Sequence, residues 1–395
     1  MKTKLLFIAA LCIGSLSANS VKISVSNPNA VHTENAPVVV KLDNYRKISP
    51  DKRSQLAVFM EGKQISSQID DLNNDGVPDE LVFLIDLKAG QTRKVTLKTV
   101  QESKKVKFPA GVYADLIVKE KDGSKKFVKE VSSDKNNMYN ALHHHGVAFE
   151  SALMAYRIYF DNKSTIDVYG KVKPQLELAQ TGWYPTDEQA AAGFGDDIIR
   201  VFGSVGVGSV KGWDGQKALH IDKFDKRTQR IVAVGNVRAV VESVVEGWQY
   251  EGKKINMTVR YILYAHHRDA VCELTASEDI NTLTTGVQTI AGGPVLKTER
   301  GLVGSWGTDY PVTDTVKYGK QTCGLGVFVP LPYAGKQVSE GLNNLFLMSY
   351  KRGDTLRFFL TAVAAKEENN RIKTAADFFA YLDSWSKQLL PVVVK

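Results

Sequence analysis

Residues 139–171 read YNALHHHGVAFESALMAYRIYFDNKSTIDVYGK, and the period of their apolar side chains decides the fold class. Along 151–160 an extended chain puts Ala152, Met154, Tyr156, Ile158 and Phe160 on one face and Ser151, Leu153, Ala155, Arg157 and Tyr159 on the other. A second β-rich run covers 165–172, and Asp161-Asn162-Lys163 between the two has hairpin-turn chemistry. The stretch therefore predicts paired antiparallel strands.

The same grain continues downstream. Residues 231–246 and 254–264 read as a long strand pair joined by 247–252, and 267–276 extends it. Long antiparallel strands of this kind imply large stacked sheets. Upstream, short β-rich runs at 38–42, 56–60, 81–85, 94–100, 112–118 and 127–131 predict a small immunoglobulin-like sandwich over 21–135, leaving 136–395 as the larger sandwich. The fold expected is mostly β. Helix is scarce; the clearest case is 374–389, where Thr374 and Asp377 form a capping box and Phe378, Leu382, Trp385 and Leu389 recur at helical spacing. Pro391 ends it, and 392–394 returns as a last strand.

Lys2 and Lys4 precede an apolar run over 5–16 and small residues at Ser15, Ser17 and Ala18, the pattern of a cleaved export signal over 1–18. Bulky Leu11 argues against lipidation of Cys12. No later run is apolar enough for a membrane-spanning helix. The expected location is periplasmic or secreted. The formal charge is +8, or +6 with Lys2 and Lys4 set aside, which suits attraction of an acidic glycan. No basic tract has a nucleic-acid-binding signature. An oxidising compartment permits Cys272 and Cys323 to pair, but the sequence leaves their separation open.

Several groups carry chemistry. His143-His144-His145 precede a strand; an extended geometry puts His143 and His145 on one face and His144 on the other. Histidine exchanges protons near neutral pH, which makes His144 and His145 candidate bases. Glu150 and Asp196 are candidate acids, and Tyr156 and Tyr159 candidate proton donors. Arg157 and Arg200 suit a sugar carboxylate. Trp183, Tyr184, Trp213 and Trp248 are candidate stacking platforms. The bland alternative for each is core packing or a local ion pair. No cofactor is expected for catalysis. Asp71, Asn73, Asp75 and Asp79 around Gly76 match the first part of a calcium loop; an Asx-rich hairpin is the competing reading, and any metal there would be structural. The glycines of 203–209 lack the Lys-Ser/Thr ending of a phosphate loop, and no nucleophile elbow is present.

Three segments resemble the secreted family catalogued as domain of unknown function 4861: DDLNNDGVPDELVFLIDL at 70–87, HHGVAFESALMAYRIYFDNKSTIDVYGK at 144–171 and GDDIIRVFGSVGVGS at 195–209. The C-terminal FFAYLDSW fits as well. The resemblance implies a galactose-mutarotase-like β-supersandwich behind a small β-domain, in polysaccharide-utilising bacteria that break down uronate-rich glycans. Where related members often carry Trp, this chain has Phe194.

The functional expectation is acid/base chemistry on an acidic oligosaccharide, either elimination or anomeric-type proton exchange. In elimination Arg200 or Arg157 neutralises the uronate, His144 or His145 takes the C5 proton, and Tyr156, Tyr159 or Tyr184 protonates the leaving oxygen. The alternatives are a two-carboxylate hydrolase pairing Glu150 with Asp196 or Asp197, a sugar epimerase or mutarotase, and a non-catalytic glycan-binding protein.

Overall fold

A computed structural model describes residues 20–331 and 333–395. The expected export signal, with Cys12, lies outside the described residues. Antiparallel sheets dominate, as the two-residue period requires.

The N-terminal unit is a sandwich of two sheets. One holds Ser20–Ser26, Leu56–Met60, Lys63–Ile65 and Thr92–Thr99, the other Thr33–Lys41, Ser67–Asp70 and Glu80–Leu87. Alternate residues such as Val25, Val38, Val40, Phe83 and Leu97 close the core between them. Val393–Val394 returns from the far end of the chain to pair with Val25 and Ser26. Two strands grouped with this unit above belong elsewhere. Val112–Asp115 pairs with Gly146–Ser151, and Glu130–Ser133 pairs with Lys226–Val234.

The larger unit is the supersandwich. Its nine-stranded sheet is centred on Lys226–Val234, Arg238–Tyr250, Lys253–Tyr264, Asp269–Ala276 and Leu356–Ala364. The long strand expected over 231–246 is two strands, broken around Gly235, and its second half runs on to Tyr250. Against this sheet lie a five-stranded sheet (Val112–Asp115, Gly146–Ser151, Met154–Tyr159, Ile166–Gly170, Asp196–Asp197) and a three-stranded one containing Ile280–Gln288 and Asn343–Tyr350. One continuous core fills the space, with Phe149 reaching Tyr156 and Tyr261.

The outer face of the nine-stranded sheet carries two covers. Helix Ala375–Ser386 starts at a Thr374–Asp377 capping box and buries Phe378, Leu382 and Trp385. It approaches closely because Gly304 and Gly324 lie beneath it; a Cβ there would stand 2.2 Å from Leu382 and 2.7 Å from Phe378. The N-terminal sandwich is the second cover, seating Val82 on Val240, Ile262 and Tyr264. Arg238 of the sheet reaches up to Asp70 at 2.8 Å and Glu80 at 2.7 Å. Among the described residues no helix is long and apolar enough to cross a membrane. Cys272 and Cys323 are both buried and free, on strands that flank Leu356–Ala364.

Candidate functional site

The alternation read from 151–160 creates the site. In the five-stranded sheet Val147, Phe149, Tyr156, Ile158 and Val168 point into the core. The other parity therefore faces outward. Register aligns Asp115, Ala148, Arg157 and Asp167 in one cross-strand row, and Tyr113, Glu150, Ala155, Tyr169 and Asp197 in the next.

Arg157 is the centre of this face. Its Nε and Nη2 donate to Asp167 Oδ2 at 2.9 and 2.6 Å, and Nη2 also meets the Tyr159 hydroxyl at 3.0 Å and Asp197 at 3.4 Å. Tyr159 in turn donates to Asp167 at 2.5 Å, and Tyr184 donates to Asp197 at 2.7 Å. Burial and the Asp167 charge push the Asp197 carboxyl well above the usual range, with Arg157 and the Tyr184 hydroxyl opposing. The Tyr184 hydroxyl is pushed up as well, by burial and then by Asp197.

The loop after Lys171 closes over the sheet. Small Ala148 and Ala155 leave a pit, and Trp183 fills it, fully buried, with the Arg157 guanidinium 4.3 Å from its ring centre. Its backbone has φ 79°, a conformation costly for a residue with a Cβ. Glu150 anchors the same loop: it forms an ion pair with Lys171 and accepts the backbone N–H groups of Glu177 and Leu178, each at 2.8 Å.

The three histidines are not one strand. His145 sits at φ 63°, so the parity expected for an extended segment fails. His144 turns inward, 1 % exposed, with Nε2 3.3 Å from Asp115 Oδ2. His143 lies against it, ring centres 4.3 Å apart. His145 goes the other way, stacks on Tyr139 at 3.5 Å, and has Nδ1 2.8 Å from the Tyr139 carbonyl oxygen. Burial lowers both His143 and His145 to about 4; His144 and Lys125 add to the effect on the first, Arg157 and Lys119 on the second.

Of the residues picked from the sequence, His144, Arg157, Tyr159, Trp183 and Tyr184 come together here, with His145 at the edge beside Tyr159. Others do not. Tyr156 is on the core side and donates to the Arg268 carbonyl, so it is no proton donor for this face. Glu150 is consumed by its loop-anchoring bonds. Asp196 is ion-paired to Lys366. Arg200 stacks on Phe202 at 3.5 Å. Trp183 and Trp248 are closed off from ligand rings at 0 % and 2 % exposure, the latter stacked on Tyr250. Trp213 stands with that second pair, its backbone N–H donating to the Tyr250 hydroxyl. Asp115 and Asp167 were missed, although counting outward from Asn162 pairs Arg157 with Asp167 directly.

The acidic loop is knitted by its own hydrogen bonds. Asp71 accepts from the N–H groups of Asp75 and Gly76, Asn73 from Asp75, Asp75 from Val77, and Asp79 from Leu72 at 2.6 Å. These are Asx-hairpin bonds, in which the side-chain oxygens accept from backbone amides of the same loop.

A family model described as "Domain of unknown function (DUF4861)" matches residues 25–394, and the chain belongs to that family. No curated protein matches it. Among solved structures, a protein in glycosyl hydrolase family 38 from Enterococcus faecalis aligns with TM-score 0.44 at 10 % identity, over 95 % of this chain and 47 % of that one. An alpha-mannosidase from Enterococcus faecalis V583 aligns with TM-score 0.41 at 11 % identity, over 95 % and 46 %. The chain thus spans about half the length of these structures. Likenesses this distant have no bearing on activity.

Proposed function

We propose that this DUF4861 protein is an exported carbohydrate-active enzyme that moves protons on an oligosaccharide at the outer face of the five-stranded sheet. His144 is the proton acceptor, oriented by Asp115, and Tyr184 is the donor at the rim. Arg157 supplies fixed positive charge. The observation that carries this reading is a group of buried atoms without a hydrogen bond of ordinary geometry: Asp115 Oδ1, His144 Nδ1 and Trp183 Nε1. Open valences gathered under a tryptophan at positive φ are the mark of a site that a polar ligand completes. A sugar, rich in donors and acceptors, satisfies them once the 181–184 segment lifts.

In elimination, His144 takes the proton at C5 of a uronate, the electron pair forms the C4–C5 double bond, and the C4–O bond breaks. Tyr184 gives its proton to the leaving oxygen and is reprotonated from water, while the His144 imidazolium releases the C5 proton to water. Arg157 is already bonded to two carboxylates, so its charge acts on the uronate through the field at this face and not through a direct bond.

Asp197 favours a second reading, hydrolysis. A carboxyl whose hold on its proton is strengthened by burial and by a neighbouring carboxylate is the kind of general acid that glycosidic cleavage uses. Digestion of defined uronate-containing and neutral oligosaccharides, read by product mass and ultraviolet absorbance, tests both. Elimination gives absorbing products with no added water, and hydrolysis gives saturated products with one water added. A saccharide that binds and is never changed overturns the enzyme reading in favour of a glycan-binding protein.

A further inference from the structure

A cleft of about 540 Å³ lies between the N-terminal sandwich and the outer face of the nine-stranded sheet, and none of the Arg157 cluster lines it. Its floor is built by register. Val240, Ile262, Val271 and Phe359 fall opposite one another on four adjacent strands and form a flat apolar row. Beside it runs a second row, Arg230, Glu242, Arg260, Glu273 and Arg357, one residue from each of five strands. Charge alternates along that row.

The pairing within the row is uneven. Glu242 is gripped from both sides, by Arg230 Nη2 at 2.6 Å and Arg260 Nη2 at 2.7 Å. Glu273 binds only Arg357, through Oε1 alone, at 2.5 Å. On the next strand Glu130 adds a looser pair to Arg230 at 3.8 Å, so the row holds three guanidinium groups and three carboxylates. The three members that line the cleft, Arg260, Glu273 and Arg357, retain N–H donors and one carboxylate oxygen for something else. At the far wall Trp385 is 6 % exposed and lines the cleft, its indole N–H lacking a hydrogen bond of ordinary geometry, although Asp269 is close enough to feel it.

We infer that this cleft is a second ligand site and that it takes a short oligosaccharide carrying a carboxylate. The volume is in the range of small-molecule sites. Donors and an acceptor set along one edge of an apolar floor match a pyranose, which shows hydroxyls at its rim and C–H groups on its face. Arg260 and Arg357, each held by a single carboxylate, keep N–H groups that suit a ligand carboxylate, which arginine binds through paired N–H groups. The site stands whether or not His144 turns any sugar over.

Calorimetry with trigalacturonate and maltotriose as probes tests it. Trigalacturonate binds the full-length protein, and maltotriose binds about tenfold more weakly or not at all. Arg357→Gln, at a partly exposed end of the row, lowers trigalacturonate affinity about tenfold, and Arg260→Gln does likewise. Circular dichroism confirms that each variant folds. His144→Asn leaves this binding unchanged, which separates the cleft from the proposed catalytic face. Absence of heat with trigalacturonate, equal affinity for both probes, unchanged affinity in both arginine variants, or loss of binding in His144→Asn each overturns the assignment.

Discussion

Arg157 and Asp167 stand opposite each other on adjacent strands, and two guanidinium nitrogens meet one carboxylate oxygen at 2.9 and 2.6 Å. Both side chains are almost wholly buried, at 2 % and 1 % exposure. Arg157→Met would leave Asp167 and Asp197 facing each other without a cation. Breaking a buried pair in this way costs about 3–5 kcal/mol. A urea titration of the variant should show a matching fall in stability. Arg157→Lys should not restore it, because an ammonium cannot supply the same fork of donors.

Glu150 and Lys171 form a second buried pair, and the loop that carries Trp183 hangs from it. Burial raises the Glu150 carboxyl, with Lys171 opposing. Glu150→Gln alone leaves the ammonium with only the longer contact to Glu177 at 3.9 Å, and Lys171→Met alone strands the Glu150 carboxylate. The double variant strands neither. We expect it to be more stable than either single variant by at least ~1 kcal/mol, measured as a double-mutant cycle in urea.

His143 and His145 set the acid response of this end of the sheet. Both are lowered from 6.5 to about 4 in the folded protein, chiefly by burial. Between those values the unfolded chain holds protons that the native state does not, so stability rises with pH. It is fully present above about 6.5 and is lost as pH falls through about 4. Urea midpoints across this range should fall towards acid in the native protein, and the slope should flatten in His143→Gln/His145→Gln.

Chelation tests the acidic loop. With Asp71, Asp75 and Asp79 bonded to backbone N–H groups, thermal melts in calcium and in EDTA should coincide. A rise in melting temperature with calcium would mean that these bonds are exchanged for metal ligands.

Much of the fold was legible because alternation is a local property. The strands of 151–172, the helix that Thr374 caps and the returning strand at Val393–Val394 all follow from period and punctuation. The split at Gly235 was less visible, since β-rich residues flank it on both sides. The site was harder. His145 adopts a left-handed backbone that no residue type announces, and that one angle sends His144 to Asp115 and His145 to Tyr139. Trp183 looked like a platform because its plug role depends on Ala148 and Ala155, two strands that only register brings together. Lys171 and Glu150 are 21 residues apart and meet only through the sheet. Arg230, Glu242, Arg260 and Glu273 come from four strands and form one row only through register, and the sandwich placed above that face makes it a cleft.

The central claim is that His144, held by Asp115, takes the proton. The most direct measurement is single-turnover conversion of the best substrate from the oligosaccharide screen by His144→Asn and Asp115→Asn, alongside melting temperature and substrate affinity. The account predicts a loss of rate of about 10²–10⁴-fold in His144→Asn and a smaller loss in Asp115→Asn, with melting temperature and affinity retained. Turnover at the wild-type rate in a folded His144→Asn protein would contradict it.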